Sequence, residues 1–128
     1  MVLDTSAIVA IFLRESGYED LEGKIARAPQ VLLGAPTLVE GIMVLGLRTA
    51  QDCRSHILEL LQRWDAHVIP FTDEHCHAAA DAFLRYGKGR HPAALNLGDC
   101  LTYAVAAVSG QPLLCKGNGF SRTDIRSA

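Results

Sequence analysis

Short apolar runs alternate along the chain with longer stretches whose apolar residues recur every three or four positions. Val2-Leu3 is such a run, and it ends in Asp4-Thr5-Ser6, a passage from strand into helix. Residues 7–14 then read as helix. Residues 17–28 read as a second helix, with Tyr18, Leu21 and Ile25 on one face and Pro29 just past its end. Val31-Leu32-Leu33 is a buried strand candidate. Pro36 and Thr37 open a helix to about Arg48 that is apolar almost all round, a pattern that means deep burial or a shared face. Asp52 opens another helix, with Ile57, Leu60, Leu61 and Trp64 on its buried stripe. His67-Val68-Ile69 is a short strand closed by Pro70. Thr72 starts a helix to about Tyr86, with Cys76, Ala80, Phe83 and Leu84 expected to face inward. Gly87-Lys88-Gly89-Arg90-His91-Pro92 is a basic loop. Residues 98–109 form an alanine-rich apolar helix, and Gly110 suits the left-handed position after it. Leu113-Leu114-Cys115 is a last short strand, followed by a polar tail over 116–128. Short apolar strands alternating with helices predict an α/β domain with a mostly parallel sheet. In such sheets ligands bind beyond the carboxyl ends of the strands.

Composition narrows the class. The chain has 128 residues, 49% of them hydrophobic and 20% charged, with a formal net charge of −2. That length suits one domain, 1–128, with a sizeable core. The apolar fraction is too high for a disordered chain. No apolar run approaches the roughly 20 residues of a membrane span. The first residues lack the basic region of a signal peptide, so a cytoplasmic protein is expected. Near-neutral charge argues against indiscriminate nucleic-acid binding but leaves room for a local basic patch. Cys53, Cys76, Cys100 and Cys115 lie far apart, with no CxxC pair, and read as buried free thiols of a reducing compartment. His75-Cys76-His77 points its members to different helix faces and is read as structural.

The carboxylates carry the candidate chemistry. Asp4 ends the first strand, Glu40 lies about one turn into the helix after the second, and Asp99 lies in the first turn of the alanine-rich helix. Each is set in apolar sequence, where a lone charge is costly unless it is paired or binds metal. Carboxylates without imidazole or thiolate suit Mg²⁺ or Mn²⁺. Each acid also fits a helix cap: Thr37-Leu38-Val39-Glu40 has capping-box spacing, Asn96 and Asp99 pair likewise, and Asp4 can cap the first helix. A phosphoacceptor receiver-like domain using Asp4 is disfavoured, because the acidic pair near its first strand is absent.

Four segments resemble the signatures of PIN-domain proteins: Val2-Leu3-Asp4-Thr5-Ser6-Ala7, Thr37-Leu38-Val39-Glu40, Leu95 to Ala104 with Leu-Asn-Leu-Gly-Asp-Cys at its head, and Pro112 to Asn118. The likeness covers the whole chain and is nearest to VapC-type toxins of bacterial toxin–antitoxin pairs. It implies a three-layer domain, a short sheet flanked by helices. It implies a Mg²⁺- or Mn²⁺-dependent endoribonuclease that activates water at Asp4, Glu40 and Asp99 and leaves a 5′-phosphate. It implies hydroxyl and amide support from Thr5, Ser6 and Asn118, a homodimer, and a VapB-like antitoxin. One position departs from the family pattern: Gly119 stands where a fourth acid is usual in Lys116-Gly117-Asn118-Gly119-Phe120. Activity is then attenuated or, alternatively, lost, leaving a fold that binds RNA or antitoxin without cleaving. Asp124 reads as a capping or surface acid rather than a replacement.

RNA, a polyanion, needs cations near these acids. Arg85, Lys88, Arg90, His91, Lys116 and Arg122 are the candidates, with Lys88 to His91 foremost. Ile8, Ile11, Phe12 and Leu13, with Ile42, Met43, Leu45 and Leu47, exceed what one small core needs. Core is the first reading of these residues; the resemblance to VapC-type toxins implies that Ile8, Ile11, Phe12, Ile42 and Met43 form the groove for an antitoxin helix.

Overall fold

A computed structural model describes residues 1–128. Strand β1 (Val2–Leu3) leads into helix α1 (Thr5–Phe12), followed by α2 (Tyr18–Ala26) and β2 (Val31–Gly34). Helices α3 (Ala35–Thr49) and α4 (Arg54–Arg63) precede β3 (Ala66–Ile69). Helices α5 (Asp73–Tyr86) and α6 (Leu97–Ser109) precede β4 (Leu113–Leu114). The strands form one parallel sheet in the order β3-β2-β1-β4. Val2 lies opposite both Leu32 and Leu113, and Leu3 opposite Leu114. The last residues lie along the outer side of β4, where the Leu113 N–H donates to the Arg126 carbonyl and the Ala128 N–H to the Leu113 carbonyl.

Strand alternation divides the core. Leu3, Val31, Leu33 and Leu114 pack with α1, α2 and α4, while Val2, Leu32 and Leu113 pack with α5 and α6. Two-residue strands suffice because both sheet faces are covered by apolar helices. The three-layer α/β arrangement is thus as expected, and every strand pair is parallel.

Two local expectations are corrected. Helix α3 starts after Gly34, with proline in its first turn, so Thr37 lies inside the helix rather than at its cap. The Thr37 hydroxyl instead meets that of Thr102 at 3.1 Å, and Glu40 is released from capping. Helix α5 turns a different face inward. His75, Ala79, Ala82 and Tyr86 are buried, while Cys76, Ala80, Phe83 and Leu84 are exposed. Alanines let α5 lie close against α6, and the larger apolar residues fall outside that contact. Cys53 and Cys100 are buried free thiols, Cys115 is half-buried, and Cys76 is the exposed exception. His75 is a capping residue: its Nδ1 lies 2.8 Å from the Thr72 hydroxyl.

Candidate active site

The site is built where β1 hands over to α1. Asp4 is the N-cap of α1, and its Oδ2 accepts from the Ser6 N–H at 2.9 Å and the Ser6 hydroxyl at 2.5 Å. That cap starts α1 at Thr5, two residues before the apolar pattern suggests. The Thr5 hydroxyl donates to Glu40 Oε2 at 2.5 Å, which ties α3 to α1. Asp99 forms the expected capping box with Asn96. Its Oδ2 accepts from the Asn96 N–H at 2.8 Å, and its own N–H donates to Asn96 Oδ1 at 3.0 Å. Gly98 lies directly against Glu40, and a Cβ there would collide with the carboxylate. The Lys116 N–H donates to the Ser6 hydroxyl at 2.9 Å, which brings the segment after β4 to the same edge.

Asp4, Glu40 and Asp99 therefore share one end of the sheet. Burial pushes the Asp99 carboxyl above its ordinary range, and the charges of Asp4 and Glu40 push it further up. Burial, then the Asp4 charge, raise the neighbouring Cys115 thiol as well. Each of the three acids spends one oxygen on protein donors. Asp4 Oδ1, Glu40 Oε1 and Asp99 Oδ1 accept no protein hydrogen bond. No three His, Cys, Asp or Glu side chains close into a ready-made coordination shell. The donor set nonetheless has the chemistry a hard divalent cation takes, oxygen only, with mutual repulsion that a cation would relieve.

Other candidates fall in different places. Thr5 and Ser6 support the acids directly. Asn118 is exposed, and its carbonyl accepts from the Ser121 N–H and hydroxyl; its side chain makes no bond to the acids. Lys116 Nζ is paired with Glu15 Oε2 at 2.6 Å, and Glu15 also holds Arg48 at 2.6 Å. Arg85 is held by Asp124 at 2.9 Å. Lys88, Arg90 and Arg122 are exposed and make no ion pair. His91 is half-buried, with Nδ1 accepting from the Ala93 N–H at 3.1 Å. Asp124 does not stand in for the missing acid, because the Tyr103 hydroxyl at 2.6 Å and Arg85 occupy both its oxygens. A Cβ at position 119 would meet nothing within 4 Å, so a side chain fits there. Sequence reasoning passes over Glu15, Arg48 and Tyr103, whose pairings span 33 residues, 101 residues and 21 residues and leave no local signature.

The five apolar residues expected to form one partner groove do not share a surface. Ile8 is 1% exposed and belongs to the core, because α1 turns it under the sheet. Ile11 and Phe12 line a cleft of about 540 Å³ between α1, α2 and α4, beside Arg14, Glu22 and Arg63. Ile42 packs half-buried against the core, while Met43 belongs to a second apolar face with Val39, Leu47, Leu97 and Leu101.

Comparison with known proteins agrees with this architecture. Residues 1–126 match the PIN domain family. The chain is 44% identical over 126 residues to Ribonuclease VapC36 of Mycobacterium tuberculosis, covering 98% of this chain and 91% of that protein. It is 42% identical over 125 residues to Ribonuclease VapC of Mycolicibacterium smegmatis, covering 98% and 97%. Among solved structures, VapC20 of M. tuberculosis, described as a sarcin-ricin loop cleaving toxin, superposes with a TM-score of 0.79 at 15% identity, over 99% of this chain and 97% of that one. A toxin–antitoxin complex from Klebsiella pneumoniae superposes at 0.69 with 18% identity, over 96% and 92%. The chain therefore belongs to the PIN-domain family, on its VapC branch.

Proposed function

We propose that this chain is a divalent-metal-dependent endoribonuclease toxin, with Asp4, Glu40 and Asp99 holding Mg²⁺ or Mn²⁺. The observation that carries this reading is three carboxylates at one sheet edge, each with one oxygen left free by protein donors. A bound divalent ion lowers the pKa of its water and offsets charge building on the scissile phosphate. The protein's part is to fix the acids. Ser6 holds Asp4, Thr5 holds Glu40, and the capping box holds Asp99, which keeps all three acids at the same sheet edge with one oxygen each left for a cation. Cleavage of single-stranded RNA in Mn²⁺, with 5′-phosphate products, tests it. An Asp4→Ala variant is expected to lose at least about a hundredfold in rate. Cutting no faster than that variant would overturn the reading.

Gly119 favours an attenuated form of the activity. No other acid replaces the one missing there, since Asp124 is fully engaged. A dead fold that only binds RNA or antitoxin is the limiting case. Gly119 has open space around it and lies outside the left-handed backbone region, so Gly119→Asp is sterically free. Cleavage is expected to rise severalfold in that variant. An unchanged rate would mean that position 119 does not limit the activity.

The proposal extends to partners. A VapB-like antitoxin helix occupies the α1–α2–α4 cleft, where Ile11 and Phe12 offer an apolar floor and Arg14, Glu22 and Arg63 a charged rim. A second copy of the chain covers the α3–α6 face around Met43, Leu47 and Leu97. The chain acts in the cytoplasm, with its RNA; no helix is long and apolar enough to cross a membrane.

A further inference from the structure

Among the free cations, Arg90 is singled out by what lies beneath it. Its guanidinium sits over the Phe83 ring at 5.4 Å from the centroid, and it has no carboxylate partner. Phe83 is 43% exposed despite its size. Its ring is held at the edge by Gly87, where a Cβ would fall 2.5 Å from Phe83 Cδ2. Any side chain at position 87 would therefore collide with both the Phe83 carbonyl and its ring. The loop that carries Arg90 is itself fixed. The Arg90 and His91 N–H groups both donate to the Gly87 carbonyl, the Lys88 N–H donates to Leu95, and Gly89 takes the left-handed backbone at φ 81°. The far end of this loop becomes Asn96, which is bonded to Asp99. A planar cation thus lies over an aromatic ring, unpaired, on the segment leading into the acidic site.

We propose that Arg90, backed by Phe83, is a stacking platform for an unpaired base of single-stranded RNA. A guanidinium plane accepts a base on its outer face, and its free N–H groups reach the adjoining phosphate. Lys88 supplies charge to the same stretch of backbone. Stacking tolerates every base, so the platform sets a preference for unstacked RNA over duplex rather than for a sequence. The inference deepens the ribonuclease reading and rests on it for the choice of RNA.

The experiment measures binding of a fluorescein-labelled single-stranded RNA to the full chain in chelator, where cleavage is stopped. The same strand with abasic sites replacing its bases is the control. Arg90→Lys keeps the charge and removes the plane, and it is expected to weaken RNA binding about five- to tenfold with the salt dependence unchanged. Arg90→Ala is expected to lose, in addition, about one phosphate contact from the salt slope. The abasic strand is expected to bind wild type and Arg90→Lys equally. Phe83→Leu is expected to match Arg90→Lys in affinity; should it unfold, the lysine variant and the abasic strand decide alone. RNA binding equal in wild type and Arg90→Lys would overturn the platform, as would an equal loss for the abasic strand. Cleavage by wild type in Mn²⁺, run in parallel, separates the two readings. Binding that depends on Arg90 without any cleavage refutes the nuclease and keeps the platform. Cleavage that is indifferent to Arg90→Lys does the reverse.

Discussion

A methyl group at position 98 would strike the Glu40 carboxylate, so the proposed role of Glu40 requires glycine there. Gly98 is the second residue of α6, where alanine is the better helix former by at most about 1 kcal/mol, the figure for a helix interior. Gly98→Ala is therefore expected to leave the thermal midpoint unchanged or higher while cleavage falls at least about tenfold. Calorimetry and a cleavage time course check the two halves, and an active variant would show that Glu40 tolerates displacement. The acids themselves are legible in the sequence, because carboxylates in apolar surroundings at strand ends are conspicuous. Their supports are legible only in part. Thr5 and Ser6 stand beside Asp4 and are read with it, but the Thr5–Glu40 bond joins residues 35 positions apart. The same spacing problem hides the true role of Thr37, whose capping-box pattern is genuine in sequence. In the structure Gly34 and Pro36 start the helix first.

At the scale of elements, Asp124 fastens the C-terminal segment to two helices. It accepts from Tyr103 on α6 and from Arg85 on α5. The Tyr103 hydrogen bond, and then the Arg85 guanidinium, hold the Asp124 carboxyl below its ordinary 3.8. Burial, with Asp124 close by, drives the Tyr103 phenol far above its ordinary range, so it stays a donor. A carboxyl depressed by folding contributes stability above its ordinary pKa, and that contribution disappears as pH falls through the lowered value. Asp124→Asn is thus expected to lower the urea midpoint at neutral pH and to cost progressively less as pH falls below 3.8. An equal cost at both ends would mean that the carboxylate charge is not what holds the segment. Element types and order follow from periodicity, since apolar runs of two to four residues can only be strands when helices cover both faces. The buried face of α5 does not follow. Ranking by hydrophobicity selects Phe83 and Leu84, whereas packing against α6 selects Ala79 and Ala82; His75 is held by Thr72 before the helix, and Tyr86 packs against the rings of His91 and Tyr103 outside it.

For the whole molecule, a net charge of −2 conceals an uneven distribution. Acids gather at one sheet edge, unpaired cations lie in the 87–91 loop, and uncovered apolar residues lie along α3 and α6. That last face is larger than isolated exposed side chains explain. Leu47 is 84% exposed and Leu97 75%, with Met43 and Val39 between them and the adjoining cleft about 510 Å³. The face also borders the acids, since Leu97 precedes Gly98 and Asp99, and Glu40 follows Val39 on α3. A second copy seated here would exclude water beside Glu40 and set two acidic sites close together. Because both leucines are already exposed, charging them costs the monomer little, within about 0.5 kcal/mol per site. Leu47→Glu/Leu97→Glu is therefore expected to fold with an unchanged thermal midpoint. Wild type is expected to scatter light as a dimer at tens of micromolar, and the double variant as a monomer at the same concentration. A wild type that is monomeric at tens of micromolar, or a double variant that stays dimeric, would place the self-association elsewhere on the surface.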